Sequence, residues 1–379
     1  MQKERLVELD ILRGLSILGM ILVITPGDWS LRFAWMNHAE WRGYPLSDMI
    51  FPTFLFCVGM AMAISFHKQT TPPTRKLAQL ARVGKRVLLL ILMGLLINGF
   101  PFYDLSNLRI PGVLQRIALC YGIVAVWWLF LVSPRSPREI TKLIVSMGVI
   151  LFFYYLLLYH IPVPGLGITG TSSANSWPAY VDQKVFGIHH LWPHGLTEGE
   201  VTYDPEGLIA ALPASVNVFF GLIIGLLFVR QDKRYNPTFL MLLGAGLALL
   251  GFLLDYWEIM PMVKKIWTSS FAVFSSGVSI LILGFLRFLI QRVPKTKGLF
   301  HPFMVYGSNA ILAFAISNML IPIFELSVQG QSLRKTGFDF FYGIIPNGPW
   351  ASFTFSLVFL ILLFGVLQIL YSKRIFLKV

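Results

Sequence analysis

Charge is scarce in this chain. Only 13% of its 379 residues are Asp, Glu, Lys or Arg, where a soluble domain carries about a quarter, which argues against a soluble protein. Acidic residues are the scarcer sign, 18 against 31 Lys and Arg, leaving a formal net charge of +13. Cysteine is nearly absent. Cys57 and Cys120 both sit inside apolar runs, which excludes a disulfide framework and a cysteine zinc site. No strong internal repeat is visible, and low complexity is limited to the TTPPT tract at 70–74. Apolar residues, in contrast, are abundant: 56% of the chain, with 32 Phe, 13 Met and 10 Trp and a mean hydropathy of +0.69. The positive balance then reads as Lys and Arg in cytoplasmic loops of a polytopic membrane protein, with no nucleic-acid partner.

A membrane-crossing helix needs about 20 mostly apolar residues. That ruler predicts an all-α transmembrane bundle of about ten spans: 9–26, 46–66, 84–102, 112–132, 142–160, 207–229, 238–256, 266–290, 303–323 and 350–371. With the N-terminus placed in the cytoplasm, 22 of the 31 basic residues fall in inner segments, as the positive-inside rule expects. Both termini are then cytoplasmic. Glu8, Asp10 and Arg13 interrupt the first run, and no small-residue cleavage site follows it, so a cleaved signal peptide is not expected. The chain reads as one domain, 1–379, with an extracytoplasmic cap at about 161–206.

This topology puts 13 of the 18 carboxylates and five of the seven histidines at the outer face, while His67 and His301 read as inner-boundary residues. The densest polar stretch joins the first two spans, from Pro26 to Asp48, and carries Asp28, His38, Glu40 and Asp48 among Trp29, Trp35, Trp41 and Tyr44. One reading is an interfacial loop with its aromatics at the headgroups. The other makes His38 a general base or nucleophile, with Asp48 or Glu40 orienting its imidazole. His189, His190 and His194 have a spacing that could hold a metal on a helix, but Pro193 and Gly195 argue against a helix there. No metal is expected. Ionisable or polar groups within spans suggest function by default. They are Asp10 with Arg13, Gln115 with Arg116, Lys264 to Ser270 at the mouth of the eighth run, and Gly307-Ser-Asn309. Asp10 and Arg13 also read as a simple local ion pair.

Several of these segments resemble the transmembrane acetyltransferases related to heparan-alpha-glucosaminide N-acetyltransferase. The resemblance rests on Leu9-Asp-Ile-Leu-Arg-Gly-Leu15, His38-Ala-Glu-Trp41, Asp48-Met-Ile-Phe-Pro-Thr-Phe-Leu-Phe56 with Gly59, and Gly112-Val-Leu-Gln-Arg-Ile-Ala118. Tyr203-Asp-Pro-Glu-Gly-Leu208, Lys265-Ile-Trp-Thr-Ser-Ser270 and Gly307-Ser-Asn-Ala-Ile311 follow in family order. One departure is Ile24-Thr25 before Pro26-Gly27, where similar sequences carry Asn. The separate lumenal portion of the animal enzyme is expected to have no counterpart here.

The resemblance implies transfer of an acetyl group from cytoplasmic acetyl-CoA to an amine or hydroxyl of an extracytoplasmic amino sugar or glycan. The family's active histidine falls on His38, with Asp48 beside it. Position and charge suggest Arg13, Arg116, Lys265, Trp267, Ser270 and Asn309 toward acetyl-CoA, and Asp28, Glu40, Trp41, Asp204 and Glu206 toward the acceptor. Membrane lipid is the other expected partner, the resemblance is compatible with a homodimer, and a bacterial inner membrane is the expected location. From another class, a transporter or flippase for a sugar or lipid-linked precursor would also want polar groups along a path through the bundle.

Overall fold

Each of the ten apolar runs forms helix. The computed structural model describes residues 6–67, 76–130, 138–293, 298–328 and 330–377. The TTPPT tract, the side chain of His67 and several loop cations, among them Lys3, Arg5, Lys68, Arg75, Arg135, Lys295, Lys297 and Lys378, lie outside the described residues. In chain order the helices are α1 (Val7–Ile24), α2 (Leu46–His67), α3 (Lys76–Gly99), α4 (Val113–Phe130), α5 (Glu139–Tyr159), α6 (Trp177–Phe186) and α7 (Ala211–Val229). Then follow α8 (Pro237–Tyr256), α9 (Ser269–Arg292), α10 (His301–Ser308), α11 (Ala310–Phe324), α12 (Leu333–Ile344) and α13 (Gly348–Ser372).

Seven of these, α2, α4, α5, α7, α8, α9 and α13, are long and apolar enough to cross a membrane, the make-up of a multi-pass membrane protein. The expected ninth span is not one straight helix: α10 and α11 meet at Asn309 with a bend of 82°, and together they make an eighth candidate. The runs in α1 and α3 are helical too, but Glu8, Asp10 and Arg13 in the first, and Lys76, Arg82, Lys85 and Arg86 in the second, keep them out of that set. Local signals set several helix starts. Asn236 accepts from the Phe239 N–H at 2.9 Å with Pro237 behind it, and Ser332 and Asn347 cap α12 and α13 in the same way.

The chain divides into two compact units that are interleaved in sequence. One holds the residues up to Ala39, then Pro45–Phe54, and those from Phe285 on. Here α1 packs against α10, α11 and α13. A Cβ on Gly14 would run into the Phe303 carbonyl, and one on Gly307 into the Asp10 carbonyl, so α1 and α10 cross at backbone contact distance, as small residues allow between membrane helices. Glu8 and Arg287 pair at 2.6 Å. The turn after α1 is held by Ser352 of α13, whose carbonyl accepts from Gly27 N–H and whose hydroxyl accepts from Asp28 N–H. Arg334 of α12 is buried against it. Its guanidinium donates to the Pro26 carbonyl at 3.0 Å, pairs with Glu325 at 2.7 Å and lies over the Trp29 ring.

The other unit holds Glu40–Tyr44 and Leu55–Gly284. In it α7 packs against α4 and α5, and α3 against α4. Gly59 of α2 and Gly221 of α7 each face the partner helix's backbone. Asn217, fully buried, donates to Ser275 and Ser276 and accepts from the Trp267 indole at 3.0 Å. Glu139 pairs with Arg230. The expected cap is mostly irregular chain around α6, with a two-stranded hairpin, β1 (Leu196–Thr197) and β2 (Glu200–Val201). Pro178 opens α6, and Gly187, at φ +77°, ends it.

Candidate active site

In the first unit, His38 sits on the irregular segment after α1, and Asp48 in the first turn of α2. The imidazole Nδ1 lies 2.6 Å from Asp48 Oδ1. The other carboxylate oxygen accepts from the Ala39 N–H at 3.1 Å, and the Ser47 hydroxyl donates to the Asn37 carbonyl at 2.6 Å. These contacts tie the histidine segment to the helix start. The Asp48 side chain is 1% exposed and that of His38 is 46% exposed. A buried carboxylate facing Nδ1 selects the tautomer with its proton there, which makes Nε2 the basic nitrogen of a half-exposed ring. Asp28, expected nearby, instead turns its own loop. Its carboxylate accepts from the Ser30 N–H and hydroxyl and from the Leu31 N–H, and the Ser30 hydroxyl chiefly holds it below the usual carboxylate range.

In the second unit, Glu40–Tyr44 is fastened at four places. Lys265 Nζ donates to the Glu40 carbonyl at 2.6 Å, and the Trp41 indole N–H donates to the Thr171 carbonyl at 2.8 Å. Arg42 forks onto Asp255 and also meets Glu258, and its affinity for a proton is raised chiefly by the Asp255 hydrogen bond. The Gly43 N–H donates to the Met262 carbonyl at 2.9 Å. Beside this segment lies a cavity of about 290 Å³ lined by Glu40, Trp41, His194, Thr197, Tyr203 and Lys265, among others. Lys265 Nζ also reaches the Tyr203 hydroxyl at 2.9 Å and lies over both the Trp41 and Tyr203 rings. The structure thus brings Lys265, expected toward acetyl-CoA, together with Glu40 and Trp41, expected toward the acceptor.

The remaining expected residues are engaged within the protein. Asp204 and Glu206 both bind Arg109, at 2.7 and 2.5 Å, with Asp204 completing a two-point fork. Burial works against the Arg109 charge, but the two carboxylates outweigh it and raise its affinity for a proton. Arg116 is fully buried, donates to the carbonyls of Pro205, Gly207 and Ala210, and lies 5.4 Å from the Trp267 ring. The Ser270 hydroxyl donates to the Pro261 carbonyl. Asn309 bonds the chain's last described residues, and Arg13 pairs with Asp10 at 2.9 Å, one turn away. Among the described residues no cluster of three metal-ligand side chains forms. His190 faces the Leu108 carbonyl, and the His194 ring stands edge-on to Trp192. His301 meets Gln368 at 3.0 Å.

Sequence reasoning missed Arg109, Arg42, Asp182 and Arg334. The first two lie in short loops, and their partners are 95 and 213 residues away, a separation no local pattern reports. Asp182, in α6, is buried with one oxygen on the Leu208 N–H and the other without a partner, and burial pushes its carboxyl up to about 7. Arg334 was masked by its amphipathic helix, where a basic residue reads as solvated.

The chain is 27% identical to heparan-alpha-glucosaminide N-acetyltransferase of Homo sapiens over 423 aligned positions, covering 99% of this chain and 60% of that protein. It is 26% identical to the protein of the same name from Mus musculus, over 99% of this chain and 61% of that one. The chain therefore spans about 60% of the length of these relatives. The family model described as "Heparan-alpha-glucosaminide N-acetyltransferase, catalytic" matches residues 5–256, a segment that includes His38, Asp48 and the cap, and the chain belongs to that family.

Proposed function

We propose that this protein is a membrane acetyltransferase that moves an acetyl group from cytoplasmic acetyl-CoA to an amine or hydroxyl of an extracytoplasmic sugar or glycan. The observation that carries the reading is the His38–Asp48 pair, 2.6 Å long, with the acid buried and the base half-exposed. Acyl transfer to an amine or alcohol needs a group that takes the acceptor's proton as the new bond forms. Nε2 is that group. The acceptor's N or O attacks the thioester carbonyl and its proton passes to Nε2. The carbon–sulfur bond then breaks, and the CoA sulfur leaves as a thiol with a proton returned by the imidazolium. Asp48 holds the ring's tautomer and stabilises the imidazolium between those steps. The same pair also suits a two-stage route in which Nε2 itself carries the acetyl group.

The topology of this reading has ten crossings with both termini in the cytoplasm, which puts the basic inner loops where they attract the CoA phosphates. A bacterial inner membrane, with the glycan on its outer side, is the matching compartment. Transfer of radiolabelled acetyl from acetyl-CoA to an amino-sugar acceptor, measured with protein in detergent or proteoliposomes, tests it. His38→Ala is expected to abolish transfer while keeping its melting temperature and its affinity for acetyl-CoA. A folded His38→Ala variant that transfers at the wild-type rate overturns the role of His38. A folded wild type that binds no acetyl-CoA overturns the acetyltransferase reading. Label that stays on wild type through denaturation at neutral pH, is released by mild acid or hydroxylamine, and is missing from His38→Ala identifies the two-stage route.

A further inference from the structure

Within the first unit, the segment after α1 comes to rest against the start of α13. Leu31 packs so closely on Gly348 that a Cβ there would meet its side chain at 2.9 Å. Phe33 stands edge-on to the Trp350 ring at 5.0 Å between centroids, and Trp35 to Phe353 at 6.1 Å. α13 is a candidate membrane span of 25 residues, about 37 Å of helix, enough to cross the hydrocarbon. Its first turn therefore stands at a membrane boundary. The side chains around that turn suit the place: Trp29, Trp35 and Trp350 are 45, 41 and 53% exposed, and indoles concentrate at headgroup level.

Arg32 lies between Leu31 and Phe33 in this surface, and it is the cation left over when the local charges are paired. Arg334 pairs with Glu325 at 2.7 Å and Lys335 with Asp339 at 3.3 Å, while the Asp28 carboxylate is taken up by Ser30 and Leu31. No carboxylate among the described residues pairs with Arg32. Its Nε donates to the Trp29 carbonyl at 2.7 Å, and its guanidinium carbon lies 5.1 Å from the centre of the Trp29 ring. The two terminal nitrogens have no partner among the described residues. The Arg334 guanidinium lies over the same indole, also at 5.1 Å, so the neighbourhood stays positive. Burial lowers the proton affinity of Arg32, with no neighbouring acid to oppose it. A partly buried guanidinium that is anchored at Nε and on an aromatic face, with both prongs of its fork unused, matches two oxygens of a phosphate.

We infer that Arg32 binds the phosphodiester of an anionic phospholipid at this membrane boundary, with Trp29, Trp35 and Trp350 around the headgroup. A lipid is the occupant because the fork stands where the apolar length of α13 begins and among exposed indoles, the level of lipid phosphates. An anionic lipid is favoured over a zwitterionic one because it brings no cation of its own toward Arg32 and Arg334. The site depends neither on His38 nor on the acetyltransferase reading.

The experiment titrates the delipidated full chain in detergent with phosphatidylglycerol or phosphatidylcholine and reads the first lipid bound by native mass spectrometry. Wild type is expected to hold phosphatidylglycerol more tightly than phosphatidylcholine. Arg32→Gln is expected to weaken phosphatidylglycerol about tenfold, the loss of a charge-assisted contact, and to bring the two lipids to similar affinities. Arg32→Lys, which keeps the charge without the fork, falls between. Melting temperatures without lipid stay at the wild-type value in both variants; if Arg32→Gln does not fold, Arg32→Lys carries the comparison. Phosphatidylglycerol binding by a folded variant at wild-type affinity overturns the assignment, as does a wild type that holds the two lipids alike. Inorganic phosphate and methyl glucuronide serve as competitors, and neither is expected to displace the lipid. Displacement by either one overturns the lipid as occupant and gives the fork to a free anion or an acidic sugar.

Discussion

Two clusters in this protein join a buried carboxylate to a nitrogen base, and they differ in how far that base is exposed. Around Arg109, two carboxylates and one guanidinium satisfy each other, with Asp204 fully buried. At His38 the carboxylate is as deeply buried, but its partner has a second nitrogen and stands half-exposed. The first cluster is closed and pins the Asp204–Gly207 turn, where the Gly207 N–H also donates to the Asp204 carbonyl. The second faces solvent through its ring, whose side chain is 46% exposed. Residue types alone do not separate the two clusters; the exposure of the nitrogen partner does.

Substitutions that remove one member of each cluster should therefore fail in different ways. The largest effect is expected at Asp48→Asn. Its shape is kept, but an amide in place of the carboxylate no longer fixes the Nδ1–H tautomer or stabilises the imidazolium. The turnover rate should fall by about 10²–10⁴-fold, with the melting temperature little changed. A purified Asp48→Asn enzyme with wild-type turnover would remove the distinction between the clusters.

Arg109→Ala should reverse that pattern. It leaves two carboxylates without their cation, a loss of about 3–5 kcal/mol for a broken buried pair. The expected reading is a large drop in melting temperature in detergent, with activity lost in proportion to folded protein. Arg109→Lys, which keeps the charge but not the fork, should fall between the two.

A smaller effect follows from Asp182. Burial pushes its carboxyl up to about 7, the nearby Asp204 charge adds to the rise, and the Leu208 N–H opposes it. An unfolded chain has an ordinary aspartate near 3.9. Between about pH 4 and 7 the folded protein thus holds a proton that the unfolded chain has lost. The stability this gives is complete below the unfolded value and fades as pH rises through about 7. Melting temperatures at pH 5 and pH 8 should differ for wild type and differ less for Asp182→Asn. Equal slopes would assign the pH dependence to other groups.

Much of the helical framework was legible because hydrophobic length is a strong local signal. All ten apolar runs are helical, and α12 escaped attention because its amphipathic pattern is not a long apolar run. The bend at Asn309 was hidden for a different reason: nothing in Gly307-Ser-Asn-Ala-Ile311 forbids a straight helix. The His38–Asp48 pair was legible because the seven loop residues between His38 and Leu46 can return a side chain to the next helix start. Arg116 and Trp267 were read by position as ligand contacts, whereas burial turns both inward, onto backbone carbonyls and onto Asn217. Long-range closure of that sort depends on contacts between distant segments, and a single sequence does not print it.

Asn309 shows what such closure demands of one position. At the break between α10 and α11, its amide nitrogen donates to the Ile375 carbonyl at 2.9 Å, and its amide oxygen accepts from the Leu377 N–H at 3.0 Å. One side chain thereby imitates a peptide unit and reads the final stretch of the chain as a neighbouring strand would. The requirement is for a donor and an acceptor on a short stem, side by side. Aspartate supplies no donor, leucine supplies neither, and glutamine carries both on a stem one carbon longer. The bend and the chain's last residues are thus a single module, so that trimming the end by five residues and replacing the asparagine by leucine would remove the same two bonds.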